Sequence, residues 1–237
     1  MADGIKGIRA WFDDLWRIFF PPVCWVCGRP LVEGEEVMCL TCDAGMPRTH
    51  YHLDYDNPLR YKLIGHVPLV HAAAMFHYAR NNPYSRLITN AKYNSHPEIA
   101  RKLARLYASE LLPAGLFAGV DLLVPVPMHW LKKVRRGYNQ AEEIAKGIGE
   151  ITGIAVCEAL RGARHGTQTR KSSYERLVNV RDTYRVETPE DLEGKHVMLV
   201  DDVVTTGATL LTCCEAIHRQ VPSARLSVIA LASTHSN

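Results

Sequence analysis

Asp201 and Asp202 stand side by side behind an apolar run, Val197 to Val200, and two valines later come Thr205, Thr206, Gly207, Ala208 and Thr209. Paired carboxylates at the end of a buried strand suit a sugar diol or a Mg2+ ion. The small-residue turn precedes a helical pattern in Leu210, Leu211, Cys214 and Ile217. A helix N-terminus offers unpaired N–H groups, Gly207 lets the backbone come close, and three threonine hydroxyls add donors. Together these make a cradle for a monophosphate. The plainer alternative is a buried strand and a capped helix in which the carboxylates only satisfy N–H groups. It leaves two aspartates and three threonines without a purpose.

A second constellation is Cys24-x2-Cys27, eleven residues, then Cys39-x2-Cys42. Two such knuckles supply four thiolates in a tetrahedron, the closed arrangement of structural Zn2+. An iron centre of the rubredoxin kind uses the same ligands and stays open from sequence. A disulfide framework suits secreted chains, and no unbroken apolar signal segment is seen here. A thioredoxin-like redox pair wants one Cys-x-x-Cys in a strand–helix–strand setting. Cys157, Cys213 and Cys214 fall in apolar segments and read as core.

Two basic stretches lie between these motifs. Lys132, Lys133, Arg135 and Arg136 crowd a loop that passes through Gly137 and Tyr138 to Asn139, a good N-cap for a helix carrying Ala141, Ile144, Ala145 and Ile148. A basic loop feeding a helix start suits pyrophosphate, though a solvated basic turn reads the same in isolation. Arg161 to Val180 is a polar stretch holding Arg164, Gln168, Thr169, Arg170 and Arg176. Its length and composition predict a mobile loop or a lid able to close over a charged substrate. Between His129 and Arg185 twelve Lys and Arg face six Asp and Glu, so this block carries +6 of a net +3 and leaves −3 for the rest. Such asymmetry suits a polyanion, whether pyrophosphate or a nucleic-acid strand.

The segment from Val197 to Thr209 resembles the phosphoribosyl-pyrophosphate (PRPP) signature of type I phosphoribosyltransferases. Adding Pro125-Val126-Pro127 with Arg135-Arg136-Gly137-Tyr138-Asn139-Gln140, then Arg164 to Val180, then the cysteine knuckles, the whole order is similar to the ComF family. That family comprises competence protein F-like chains and enterobacterial proteins of DNA utilization. The resemblance implies an α/β fold, a parallel sheet flanked by helices, behind a small zinc-ribbon-like element. It implies Asp201 and Asp202 on the ribose hydroxyls and Thr205, Thr206, Gly207, Ala208 and Thr209 on the 5′-phosphate. Arg135, Arg136, Gly137, Arg164, Arg170 and Arg176 become candidates for the pyrophosphate. The implied cofactors are Zn2+, structural, and Mg2+, brought with PRPP. Two functions follow: transfer of phosphoribose to or from a nucleobase, or a non-catalytic module that senses PRPP or binds single-stranded DNA or a DNA-uptake partner. A metal-dependent nucleic-acid hydrolase has only the Asp pair behind it.

The elements that must position these residues are legible as runs. His71 to Tyr78, Asp121 to Pro127, His196 to Val204 and Leu226 to Ala232 read as strands. A helix is expected from Pro97 to Leu111, stopped before Pro113 and Gly115. Strands alternating with helices predict a parallel sheet. Residues 1–20 read as an amphipathic helix ending at Pro21-Pro22, packed on the protein's own body or lying on a membrane surface. The expected organisation is a helix over 1–20, a four-cysteine zinc-ribbon-like segment over 21–53 and a phosphoribosyltransferase-like domain over 54–237. A hydrophobic content of 47% supports a real core. No apolar run reaches the roughly eighteen residues of a transmembrane helix, so a cytoplasmic protein is expected.

Overall fold

The computed structural model describes residues 21–63, 67–93, 96–128, 134–162 and 183–234. The expected N-terminal helix and the lid residues Arg164, Arg170 and Arg176 lie outside the described residues, as do Lys132 and Lys133. The chain forms two compact units, Met1–Met46 and Pro47–Asn237.

The first unit is built on turns. Val23 and Pro30 form an antiparallel bridge around the first cysteine pair, and a short helix, α1 (Leu40–Ala44), begins directly after Cys39. Among its described residues Val26, Leu31, Val37, Met38 and Met46 are buried apolar side chains, with Cys24 and Cys39 among them.

The second unit is an α/β domain on a five-stranded parallel sheet. Its strands are β1 (Leu69–Tyr78), β2 (Leu122–Pro125), β3 (Ala155–Val156), β6 (His196–Val204) and β7 (Arg225–Thr234), in the order β1-β7-β6-β2-β3. A separate antiparallel pair joins β4 (Leu160–Gly162) to β5 (Tyr184–Val186). The helices are α2 (Pro58–Tyr61), α3 (Ser85–Tyr93), α4 (Pro97–Leu111), α5 (Gln140–Thr152) and α6 (Ala208–Gln220). The expected strands and the Pro97–Leu111 helix are all present. The short strands β3 to β5 and helices α2 and α3 carry too few residues for a visible period, and the sequence did not announce them.

Both faces of the sheet are covered, which is why β6 and β7 read as continuous apolar runs. On one face Val197, Leu199, Val228 and Ala230 pack against Leu210, Cys213, Cys214 and Ile217 of α6. The alternate residues Met198 and Val200 face the other way, beside Leu123 in the register of β2. There α5 comes down close: a Cβ on Gly149 would lie 3.9 Å from Leu123 Cδ1. Helix α4 then packs on α5 so tightly that a Cβ on Gly147 would sit 2.3 Å from the carbonyl oxygen of Arg101, leaving room only for glycine. Asn139 caps α5 as expected, its side chain accepting from Ala141 N–H while its amide donates to the Val126 carbonyl. The open edge of β1 is covered by residues 47–49: Thr49 N–H donates to the Met75 carbonyl and His77 N–H to that of Pro47.

The order of strands creates a switch point. The crossover β2–α5–β3 moves outward one way and β6–α6–β7 the other, so right-handed connections put their helices on opposite faces. In open α/β sheets the ligand crevice lies at such a point, which here falls between the C-terminal ends of β2 and β6.

Candidate functional site

Strand β6 outruns its neighbour at that crevice. Its ladder to β2 stops at Pro125 opposite Val200, whereas pairing to β7 continues to Val204 opposite Ser233. Asp201 and Asp202 therefore begin where one flank of the strand is lost. Adjacent residues of a strand point to opposite faces, and the two carboxylates obey that rule. Asp202 turns to the side of α3, where its Oδ2 lies 2.7 Å from Lys92 Nζ. Asp201 turns toward α6 and β5: its charge is felt at Cys213 and Tyr184.

The electrostatics of the pair follow from this divergence. Burial raises the Asp201 carboxyl to about 7, the Asp202 charge adds to the rise, and the Asp202 N–H and Lys92 oppose it. Asp201 Oδ1 accepts from Asp202 N–H at 2.8 Å, and Asp202 Oδ1 from Val203 N–H at 2.6 Å. One carboxylate is tied to an ammonium and the other resists ionising. The pair straddles the strand, so it does not form a ready two-carboxylate claw for a bare Mg2+. It suits hydroxyl groups better.

The turn after β6 is exposed at Thr205, Thr206, Ala208 and Thr209, whereas Gly207 is buried. Gly207 has φ 82° and opens α6. Its conformation is as expected for a tight turn, but the direction it faces was not foreseen. A Cβ there would meet Leu63 Cδ2 at 3.2 Å and Lys62 Cβ at 3.4 Å, so the missing side chain makes room for the protein and not for a ligand. Gly207→Ala should therefore destabilise the domain by about 1–2 kcal/mol through its left-handed backbone alone. A melting temperature unchanged from that of the parent would refute this.

Lys62 completes the underside. Its Nζ donates at 2.8 Å to the carbonyls of both Thr205 and Thr234. Thr234 Oγ1 donates to the same Thr205 carbonyl at 3.2 Å. Neither Lys62 nor Lys92 was singled out from sequence, because nothing local distinguishes them from other surface lysines.

The residues that follow the basic loop are tied to α3. The Tyr138 hydroxyl and Gln140 Nε2 both donate to the carbonyl of Ala91, the residue before Lys92. Arg136 Nη1 donates to Gln140 Oε1 at 3.1 Å. The Tyr138 hydroxyl is thus engaged as a structural tie. Arg135 is exposed.

With the geometry described, comparison with known sequences gives the family. The sequence profile of the phosphoribosyl transferase domain matches residues 90–236. The chain belongs to that family. Among its relatives, the DNA utilization protein YhgH of Escherichia coli K12 is 31% identical over 216 residues, 84% of this chain and 92% of the relative. Competence protein ComFC of Bacillus subtilis is 24% identical over 230 residues, covering 92% and 89% of the two chains. The phosphoribosyl transferase domain of this ComF-type chain thus follows an N-terminal cysteine cluster, as its order of motifs implied. The allosteric regulatory enzyme of purine biosynthesis aligns in space over 55% of this chain and only 25% of its own, with 22% identity and a TM-score of 0.41.

In the first unit Cys24, Cys27, Cys39 and Cys42 bring their Sγ atoms within 4.8 Å of one another, the only such group among the described residues. Cys27 and Cys39 Sγ lie 3.8 Å apart. A tetrahedron with metal–sulfur bonds of about 2.3 Å has edges of about 3.8 Å, so the four thiols fit one tetrahedral metal. The knuckle geometry is present too: Gly28 N–H donates to the Cys24 carbonyl at 2.8 Å and Cys39 N–H to Cys24 Sγ at 3.4 Å. Although burial works against it, the Cys24 thiol is lowered to about 6, because backbone N–H groups of Cys27, Cys39 and Val26 stabilise the thiolate. Among the described residues no helix is long and apolar enough to cross a membrane.

Proposed function

We propose that the crevice between β2 and β6 binds PRPP or the corresponding nucleotide, and that the protein transfers phosphoribose to or from a nucleobase. Named relatives act in DNA utilization and competence, so the fitting role is recovery of bases or nucleotides from external DNA. The observation that carries this reading is the turn Thr205–Thr209 opening α6 beside two carboxylates at the switch point of the sheet.

In this reading the exposed turn takes the 5′-phosphate on the hydroxyls and N–H groups of the first turn of α6. Asp202, and Asp201 in either protonation state, accept from or donate to the ribose hydroxyls. Arg135 and Arg136 receive the pyrophosphate, with Arg164, Arg170 and Arg176 as the lid candidates. Departure of pyrophosphate from the anomeric carbon leaves an oxocarbenium-like centre for a nitrogen nucleophile, and cations near the leaving group lower the barrier. Mg2+ bound to PRPP would neutralise its pyrophosphate. For the N-terminal cluster we propose Zn2+ in a structural role, held by Cys24, Cys27, Cys39 and Cys42.

Calorimetry with PRPP and Mg2+ is expected to give a dissociation constant of roughly micromolar order. A screen of nucleobases for pyrophosphate release then identifies the acceptor. PRPP without measurable binding, together with steeply salt-dependent binding of single-stranded DNA, would replace this reading with that of a DNA-binding module.

A further inference from the structure

A loop that receives a phosphate on its N–H groups has an electrostatic problem: each N–H is joined to a carbonyl of the opposite polarity. A trans peptide unit is planar, and its C=O and N–H point in opposite directions. For Thr206 N–H to face an anion, the Thr205 carbonyl must face away and must find donors there. Both of its lone pairs are occupied: Lys62 Nζ donates at 2.8 Å and Thr234 Oγ1 at 3.2 Å. Lys62 also donates to the Thr234 carbonyl at 2.8 Å, so one ammonium joins the turn after β6 to the end of β7.

The segment that carries Lys62 is itself firmly held. Asn57 is buried, caps α2 by accepting from Arg60 N–H, and donates to the carbonyls of Tyr51, Asp54 and Ala72. Leu59 and Leu63 are fully buried. The Cβ and carbonyl of Lys62 and the side chain of Leu63 lie under Gly207. This floor lies upstream of the stretch, 90–236, that matches the phosphoribosyl transferase profile.

We infer that Lys62 is a positioning residue for the 5′-phosphate turn: it holds the Thr205 peptide with its carbonyl turned under and its far side offered to the phosphate. The inference rests on the PRPP reading of the site. It assigns part of the phosphate subsite to a residue from the preceding segment. The ligand class is a sugar 5-phosphate.

The test compares Lys62→Met, Lys62→Arg and the parent protein with two probes, ribose 5-phosphate and inorganic pyrophosphate, by calorimetry, alongside melting temperatures. Pyrophosphate addresses the basic loop, and among the described residues Lys62 bonds instead to Thr205 and Thr234. Lys62→Met is expected to weaken ribose 5-phosphate at least tenfold and leave pyrophosphate within twofold. Lys62→Arg, which keeps the charge and the donors, should recover most of the loss. Equal weakening of both probes together with a lowered melting temperature would mean a structural role and would overturn the inference. Unchanged ribose 5-phosphate affinity in Lys62→Met would also overturn it, while sparing the site. Failure of the parent protein to bind ribose 5-phosphate or PRPP would overturn the site reading and this inference with it.

Discussion

Replacing both Asp201 and Asp202 with asparagine should weaken PRPP by at least a hundredfold while leaving the fold as stable as before, or more so. The reason lies in what the empty site tolerates. Asp201 is held at about 7 by its burial and by the neighbouring charge of Asp202, so above that pH the protein carries a carboxylate in an unfavourable place. In the unfolded chain an aspartate titrates near 3.9. Between these values the folded state binds the extra proton, so stability falls as pH rises from about 4 to 7, and the full cost is present above 7. Asparagine removes that cost and keeps the oxygen that accepts from Asp202 N–H. The variant's advantage should be absent near pH 4 and reach about 1–3 kcal/mol above pH 7. Against it stands the lost ion pair to Lys92, which at a partly exposed position contributes under about 1 kcal/mol. Melting temperatures across this range, with calorimetry at pH 7.5, check both halves. A variant that melts lower at every pH yet binds PRPP normally would assign the carboxylates to structure alone.

What the sequence disclosed and what it concealed divide along a physical line. Runs such as Val197 to Val200 and Leu226 to Ala232 announce buried parallel strands because burial on both faces forces continuous apolarity. Asn139 announces its helix because a cap is a local interaction. The cysteine knuckles announce themselves because coordination needs four ligands at fixed spacing. The underside of the Thr205–Thr209 turn was hidden for the opposite reason. Lys62 meets Thr205 and Thr234 across 143 and 172 residues of chain, and a lone lysine after a short helix carries no pattern. Lys92 was hidden likewise: its meaning comes from α3 being tied at Ala91 by Tyr138 and Gln140. The adjacency of Asp201 and Asp202 suggested a joint grip, whereas the pleat of β6 sends them to opposite faces. Spacing alone had been enough to find the pair, and the strand geometry was needed to say which way each one works.

Stripping the metal from the N-terminal unit should unfold residues 21–46, and one metal per chain is the expected stoichiometry. Among the described residues of the unit, 21–46, the resources are small: five buried apolar side chains besides the cysteines, one bridge and a helix of five residues. A core of that size does not offset the chain entropy of ordering it. Four unligated thiols make matters worse, since gathering thiolates within 4.8 Å sets their charges against one another. Metal binding removes that repulsion and supplies on the order of 10 kcal/mol at neutral pH, enough to define the unit. A chelator, or Cys39→Ser, should therefore release the metal and open residues 21–46 to proteolysis, while the α/β unit, which has its own core, keeps its melting transition. Because thiolates must be deprotonated to bind, release should also follow acidification. Elemental analysis of the purified protein decides between zinc and iron, and limited proteolysis with and without chelator decides whether the metal is structural. A stoichiometry near zero, with Cys39→Ser as resistant to protease as the parent, would show that the four thiols meet for some reason other than coordination.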